Sequence, residues 1–495
     1  MGRHEPEWTV DFSTFKICEE STISPLETGN GPEFFPLSCV DKSAAFIFTA
    51  FEVILPFPRS VPDSARLHAS LRKLATKYPV LAARVVTRGG SQGFACLGQG
   101  FPLSIASWPS GHSGIWPKAA SFERWTGSLP EFSPPPPFAA GIQATEVVKG
   151  SEPLLKIRLT KMGDGSSVLS ASVAHVLMDA GRATEMMAHL ATIYRGEEAP
   201  AAAPDSKAKQ QQVRAEAMFK PFVLRPPCLK NGPRPRDTVA RALPGPNGYS
   251  WHALHIPSGQ LRSLKESINA ESQAFGIPFV STADITSSIV WLLRCKAYDL
   301  PLPTEGGSII LTAADIGRAG LPKGTVPDNY IGNAVASIPV IAPAVTDFTN
   351  TRQFTCHSDE EAFTRALLES TCAVRRAVLA FRKDPSRAVM NAIYLNNLPS
   401  KLRPISMARL AKTYKYPIVA LLTERTSFKT DEVDFGHGPP THNLGLPTWP
   451  VNLPAVVSKC PTGVIVQIMM DMPESCLSPI KPLLDAIAPQ ASWVG

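Results

Sequence analysis

Strand-like apolar runs and amphipathic helices alternate along this 495-residue chain in two blocks, and this alternation most constrains its fold. In the first block, leucines at helical spacing follow Asp63 and lead into the strand-like run YPVLAARVV. The run GSSVLSASVAH (165–175) predicts another strand, followed by a helix that ends at Gly196. The length favours two or three domains, or one large two-lobed unit.

The second block has the same mixed character. Amphipathic helices are predicted around residues 261–268 and 285–292, with two more at 359–383 and 405–414. The strand-like runs among them are SIILTAA, NAVASIPVI, YPIVALLT and TGVIVQIMM. Both halves are therefore predicted to be mixed α/β lobes, with a ligand cleft where they meet.

A basic, proline-rich segment separates the blocks. Residues 201–250 hold nine Lys or Arg against three Asp or Glu, which is most of the net charge of +7. We predict lobes at 1–200 and 251–495, with 201–250 as a solvated crossover linker. An alternative is that the linker lends positive potential to a phosphate-bearing ligand. Aromatic residues are not interleaved with these charges, so nucleic acid is not an expected partner.

The cysteines and the apolar runs indicate in which cellular compartment the protein is expected. Nine cysteines are scattered without a CxxC pair, which favours a reducing compartment and suggests no metal site. The polar N-terminus MGRHEPEWTV lacks the apolar core of a signal peptide, so we expect a cytoplasmic protein. The most apolar stretch, AAFIFTAFEVILPF, is broken by Glu52 and Pro56, which predicts a buried strand and no membrane span.

His175 is the first candidate for chemistry because it closes a predicted strand at the edge of the cleft. An imidazole titrates near neutral pH, so it can take a proton from an alcohol or amine and return it to a leaving group. A structural role is the alternative for a lone histidine. Asp179, four residues later, also fits the N-cap of the helix that begins at Ala180.

Three motifs occur in order along the chain: AHVLMDA around His175, DIGRAGLPKGTVPDNYIGNAVA (315–336) and DFGHG (434–438). They correspond to HxxxD, DxxR followed by YxGN, and DFGWG of the BAHD acyltransferases, and the chain resembles the fungal branch of that family. The segments ISPLE, STADITSSIVWLL and TERTSFKTDEVDFG agree as well, so the resemblance runs from about residue 24 to the C-terminus.

The resemblance implies two chloramphenicol-acetyltransferase-like lobes with the active site in a channel between them. It implies transfer of an acyl group, most commonly acetyl, from acyl-CoA to a small-molecule acceptor by a monomer with no bound metal. His175 matches the general base, and Asp179 matches a structural aspartate paired with an arginine at the position of Arg318. The acceptor is expected to be a specialised metabolite that offers a hydroxyl or an amine.

Other motif positions carry supporting roles by the same resemblance. Thr426 or Ser427 would donate a hydrogen bond to the oxyanion, and Asp434 and Gly436 belong to a loop remote from the reacting atoms. Coenzyme A would run past Ser281, Thr282, Ala313, Ala314 and Asp315. The chain departs from the family pattern at His437, which replaces a tryptophan, and at Ala180, which stands where HxxxDG has glycine.

Competing interpretations use the same residues. Condensation domains of peptide synthetases share this fold and act on carrier-bound acyl groups, but they show HHxxxDG where this chain has Ala174. A catalytically silent binding protein of the same fold is a further alternative. The run GGSQG (89–93) fits the serine-hydrolase elbow, but no helical pattern follows it, so Ser91 is predicted to lie at a hairpin turn.

Overall fold

The computed structural model describes most of both blocks and shows a mixed α/β fold. It covers residues 12–26, 34–37, 41, 49–59, 62–112, 138–200, 250–297, 308–316, 330, 332–341, 358–385, 418–445, 447–448, 454–470 and 492–494. The predicted linker up to residue 249, the predicted helix at 405–414 and Arg318 lie outside the described residues. The boundaries between the predicted lobes therefore stay a prediction.

The first block builds most of a six-stranded sheet in the order β1-β6-β7-β8-β3-β13, in which β13 (Pro447–Thr448) comes from the second block, and a small sheet in the order β2-β5-β4. Among the described strand pairs of the larger sheet, β6 and β7 run parallel and the others antiparallel. The elements are β1 (Lys16–Ile23), β2 (Phe34–Pro36), β3 (Ala50–Phe57), α1 (Ser64–Lys77), β4 (Arg84–Arg88), β5 (Ser91–Ala95), β6 (Phe101–Trp108), α2 (Ala144–Lys149), β7 (Leu155–Met162), β8 (Ser167–Ala174) and α3 (Ala180–Arg195).

Capping residues fix the helices as the sequence predicts. Asp63 caps α1 by accepting a hydrogen bond from the Arg66 N–H. Gly196 ends α3 in the left-handed conformation, with φ 86°. Helix α3 begins directly after Asp179, so its N-terminus lies beside the end of β8 that carries His175.

Strand β3 is buried along its whole length, as its apolar run predicts. Glu52 in its middle is only 1% exposed and accepts a hydrogen bond from the Ser172 hydroxyl (2.6 Å). Burial raises the pKa of Glu52 to about 8, although the bond from Ser172 and the charge of Arg158 oppose this shift. The side chain is therefore protonated at neutral pH, which is how a carboxyl group is tolerated inside this sheet.

The second block forms a seven-stranded sheet in the order β11-β10-β12-β14-β15-β9-β16, in which β10, β12 and β14 run parallel. Helices α5 and α6 contribute to the core that packs on this sheet. The elements are β9 (Ser250–Pro257), α4 (Ser258–Ser272), α5 (Thr282–Ala297), β10 (Ile309–Asp315), β11 (Val335–Ile341), α6 (Ser358–Lys383), β12 (Ile418–Glu424), β13 (Pro447–Thr448), β14 (Pro454–Cys460), β15 (Gly463–Met470) and β16 (Ser492–Val494).

A segment of the second block also joins the larger sheet of the first block. Strand β13 pairs with β3, and the Ile54 N–H donates to the Leu444 carbonyl (2.8 Å). The segment after the DFGHG motif is thus held by the sheet that carries His175. Sequence periodicity does not predict this exchange because β13 is only two residues long.

The described residues also bear on the other sequence predictions. Gly89 and Gly90 form the turn between β4 and β5 with φ of 55° and 78°, and Ser91 is the first residue of β5 rather than a turn residue. A strand follows Ser91, so it does not lie in a nucleophile elbow. No helix among the described residues is long and apolar enough to cross a membrane.

Candidate active site

A cavity of about 690 Å³ lies between the two sheets and is lined from both of them. It brings together most of the predicted site residues, which come from the end of β8, the start of α5, the end of β10 and the segment after β12. These are His175, Ser281, Thr282, Ala313, Ala314, Asp315, Thr426 and Ser427. Asp179 also reaches the wall, whereas Asp434 and Gly436 do not line the cavity.

His175 is held by backbone bonds and ring packing. Its N–H donates to the Thr49 carbonyl (2.9 Å), which continues the pairing of β8 with β3 by one residue. Its ring meets the Phe51 ring edge-on, with 5.0 Å between centroids and 71° between planes. The side chain of Asn333 donates to the His175 carbonyl (2.8 Å). The imidazole is therefore placed at the cavity wall by both halves of the chain.

Its surroundings keep this imidazole neutral. Burial lowers the pKa of His175 to about 4, and the nearby charge of Arg425 lowers it further, against hydrogen bonds that involve Asn333 and the backbone. The positive form of the ring is disfavoured because it loses hydration and meets a second cation. At neutral pH the ring can accept a proton, which is the resting state that a general base requires.

Asp179 fastens the turn after His175 with both carboxylate oxygens. Oδ1 accepts from the Arg182 N–H (3.0 Å), which caps α3, and Oδ2 accepts from the Ala334 N–H (2.9 Å). Burial raises the pKa of Asp179, and the charge of Arg182 opposes that shift. The side chain thus joins the His175 turn to the segment that leads into β11.

Arg182 is a described arginine whose charge acts on Asp179. It bonds Glu185 at 2.7 Å, and its second nitrogen lies 3.9 Å from Asp315 on β10. Arg318 itself lies outside the described residues, so its predicted pairing with Asp179 stays a prediction. No sequence motif pointed to Arg182, because its partners come from two separate segments.

Asn333 is a second residue to which sequence analysis gave no role. It is fully buried, and its amide donates to Asp41 (3.0 Å) as well as to the His175 carbonyl. Gly332 before it leaves room for the Tyr330 ring, which a Cβ at position 332 would overlap. The YxGN motif was the available signal, since it follows the DxxR segment in the predicted second lobe.

The DFGHG loop is a compact turn outside the cavity. The Asp434 carboxylate accepts the N–H groups of Gly436 (2.7 Å), His437 (3.0 Å) and Gly438 (2.9 Å). Phe435 is buried against Phe57 and Tyr194 in edge-on contacts of 5.7 and 5.2 Å. The His437 side chain is exposed and does not line the cavity, whereas His175 does.

The predicted oxyanion residues lie in a tight turn after β12. The Phe428 N–H donates to the Arg425 carbonyl (3.0 Å), and the Thr426 N–H donates to the Glu424 carboxylate (2.7 Å). Ser427 is exposed and Thr426 is partly buried. Both residues line the cavity, as an oxyanion donor must. Their role as oxyanion donors stays a prediction. No group of acidic, histidine and cysteine residues in the described part of the chain is arranged to hold a metal ion.

The described residues thus place a histidine at a strand end, facing a cavity between two mixed sheets. A family model described as the Transferase family matches residues 16–448. The chain therefore belongs to this family, and its resemblance to the BAHD acyltransferases is confirmed. A comparison with curated protein sequences finds no match.

Solved structures share the fold over nearly the whole chain. Vinorine synthase is 14% identical with a TM-score of 0.61, over 95% of this chain and 98% of that one. TRI101 of F. graminearum, complexed with coenzyme A and deoxynivalenol, is 15% identical with a TM-score of 0.60, over 94% and 100%. The first condensation domain of the CDA synthetase is 14% identical with a TM-score of 0.52, over 94% and 98%.

The contacts of Asp179 predict the effect of replacing it with asparagine. In Asp179→Asn one oxygen becomes an N–H donor that faces a backbone N–H, so a buried acceptor is lost. We expect the free energy of unfolding to fall by about 1–3 kcal/mol and kcat to fall with it. Chemical denaturation and steady-state assays measure both.

Asp431→Asn is the matched control, because Asp431 is exposed and contacts only Lys459 at 3.4 Å among the described residues. It is expected to change the free energy of unfolding by less than about 0.5 kcal/mol. Lost activity in Asp179→Asn with unchanged stability would contradict a structural role and make Asp179 a participant in the chemistry.

Proposed function

We propose that the chain transfers an acyl group from acyl-CoA to a hydroxyl or amine of a small molecule, with His175 as the general base. The observation that carries this proposal is a neutral imidazole, held by both halves of the chain, at the wall of their shared cavity. Membership of the transferase family and the fold shared with a coenzyme A complex support it.

The proposed chemistry needs one proton carrier. His175 takes the proton of the acceptor hydroxyl while the oxygen attacks the thioester carbonyl, which gives a tetrahedral intermediate with a negative oxygen. Thr426 or Ser427 would donate a hydrogen bond to that oxygen. When the carbon–sulfur bond breaks, the imidazolium returns the proton to the thiolate, so the products are the ester and free coenzyme A.

The donor is proposed to lie along the second sheet. Ser281, Thr282, Ala313, Ala314 and Asp315 line that side of the cavity. Helix α5 begins there, and the Asp284 carboxylate accepts the Ser281 N–H (2.6 Å) at its start. An acetyl group as donor, a specialised metabolite as acceptor, and action as a cytoplasmic monomer complete the proposal.

A carrier-bound acyl donor is the second candidate, because a condensation domain shares the fold. The motif here has Ala174 in place of the first histidine of HHxxxDG, which favours a free coenzyme A thioester. Assays with acetyl-CoA and with an acetylated carrier protein, at equal concentrations, decide between the two. Turnover of the carrier-bound donor alone would contradict the first candidate.

Replacing His175 tests the assigned base. His175→Ala and His175→Gln should lower kcat by about 10²- to 10⁴-fold, because a positioned general base contributes that much to the rate. The melting temperature and the dissociation constant for coenzyme A should stay near wild type. His437→Ala is the matched control, because that side chain is exposed and outside the cavity. Retention of more than about a tenth of kcat in both His175 variants would remove His175 from the mechanism.

Direct attack predicts that both substrates occupy the cavity together. No cysteine of the described residues lines the cavity, and Ser91, the one serine in an elbow-like motif, lies in a strand elsewhere, so we expect no acyl-enzyme. Initial-rate plots at several fixed acceptor concentrations should intersect. Parallel lines, or a burst of free coenzyme A equal to the enzyme concentration without acceptor, would instead show a covalent intermediate.

A further inference from the structure

Arg425 is a buried cation in the wall of the cavity. It follows β12 directly, is only 3% exposed, and lines the same cavity as His175. Its charge contributes to the lowered pKa of His175, so the two groups interact across this space. Burial lowers the pKa of Arg425 itself to about 10, which leaves the guanidinium charged at neutral pH.

The described part of the chain gives this guanidinium little compensation. No ion pair among the described residues involves Arg425, and its Nε has no hydrogen-bond partner there. Among the described residues, its side chain makes one long hydrogen bond, from Nη1 to the Asn443 amide oxygen (3.4 Å). By contrast, the buried Arg375 at another part of the wall forms an ion pair with Asp284.

The chain makes room for Arg425 at one position. A Cβ at position 445 would overlap Nη1 and Cζ of Arg425, so the guanidinium lies where only a glycine leaves space. Leu444, next to Gly445, pairs with Ile54 of the first sheet, which holds this backbone in place. The guanidinium is therefore fixed beside the cavity by packing rather than by an acidic partner among the described residues.

Burying a charge without a counterion lowers the stability of the folded protein. Buried charges of this kind are often found at functional sites, where they bind a substrate or take part in the chemistry. A guanidinium presents N–H donors in a planar fork that matches the two oxygens of a carboxylate. We propose that Arg425 binds a carboxylate that one of the substrates carries close to its reacting atoms. This inference rests on the proposed function and deepens it, since it gives the chemical class of the substrate.

The partner charge has two possible sources. The phosphates of coenzyme A are separated from the thioester by the length of the pantetheine arm, so they do not lie at His175 when the thioester does. A carboxylate beside His175 therefore belongs either to the acyl group, as in a dicarboxylic thioester, or to the acceptor, as in a hydroxy acid. Once bound, it would also offset the cation that disfavours the imidazolium form of His175.

Calorimetric binding to the wild-type enzyme separates these sources. The donor arm compares malonyl-CoA with acetyl-CoA. The acceptor arm compares 3-hydroxybenzoate, mandelate and 12-hydroxydodecanoate with their methyl esters. In at least one pair, we expect the carboxylate-bearing probe to bind about 10- to 100-fold more tightly than its neutral counterpart. The arm in which this occurs identifies the substrate that carries the charge.

Variants connect the preference to the guanidinium. Arg425→Gln should abolish the preference, and Arg425→Lys should keep part of it. Gly445→Ala should weaken it while leaving the charge in the chain, so it tests the inference even if Arg425→Gln fails to fold. Arg365→Gln is the matched control, because Arg365 is an exposed cation outside the cavity, paired with Glu369 at 3.0 Å; its preference should match wild type.

Two results would overturn the inference: equal affinity of the wild type for both members of every pair, or an undiminished preference in Arg425→Gln and Gly445→Ala. The proposed function is tested separately by acetyl-CoA, whose acyl group has no carboxylate. Its binding to wild type and to Arg365→Gln should agree within about twofold. Failure of wild type to bind both acetyl-CoA and malonyl-CoA would contradict coenzyme A dependence, whereas the carboxylate preference would still be measured in the acceptor arm.

Discussion

The site depends on the hydrogen bonds that join the turn after β8 to the segment before β11. Asp179 accepts from the Ala334 N–H, and Asn333 donates to the His175 carbonyl. These bonds connect residues more than 150 positions apart and lie inside the protein, where water does not compete for them. Because they fix the backbone of His175 from the second half of the chain, the two sheets form one cavity with the imidazole at its wall.

Burial then sets the chemistry of the groups at this junction. The same enclosure keeps His175 neutral and leaves Arg425 charged, because an imidazole can lose its proton at neutral pH and a guanidinium cannot. A neutral base beside a cation that has no acidic partner among the described residues is suited to a substrate that brings negative charge, either already present or developing in the transition state. Both proposals therefore follow from one feature, the burial of these two groups in the cavity wall.

Local patterns predicted the parts of the structure that local interactions decide. Asp63 and Gly196 marked the ends of two helices, and the apolar run around Glu52 marked a buried strand. The ordered motifs predicted the family and the gathering of His175 with Ser281 and Asp315 around one cavity.

Contacts between distant segments had no such signal. Arg182 and Arg425 each contact a residue from another element. From sequence alone, a charged residue next to a strand is predicted to be solvent-exposed. Gly445 offers no clue because its role is to leave space for a side chain 20 positions away. The pairing of β13 with β3 was missed for the same reason, since two residues carry no periodicity.

The protonation of His175 is the most direct test, because it needs neither substrate. NMR titration of histidine-labelled protein follows each imidazole, and the signal that is missing in His175→Gln assigns the residue. The account predicts that this ring stays neutral as the pH falls from 8 and titrates near 4 in the folded protein. A midpoint at or above the ordinary value of about 6.5 would contradict an enclosed, neutral base at the junction of the two sheets.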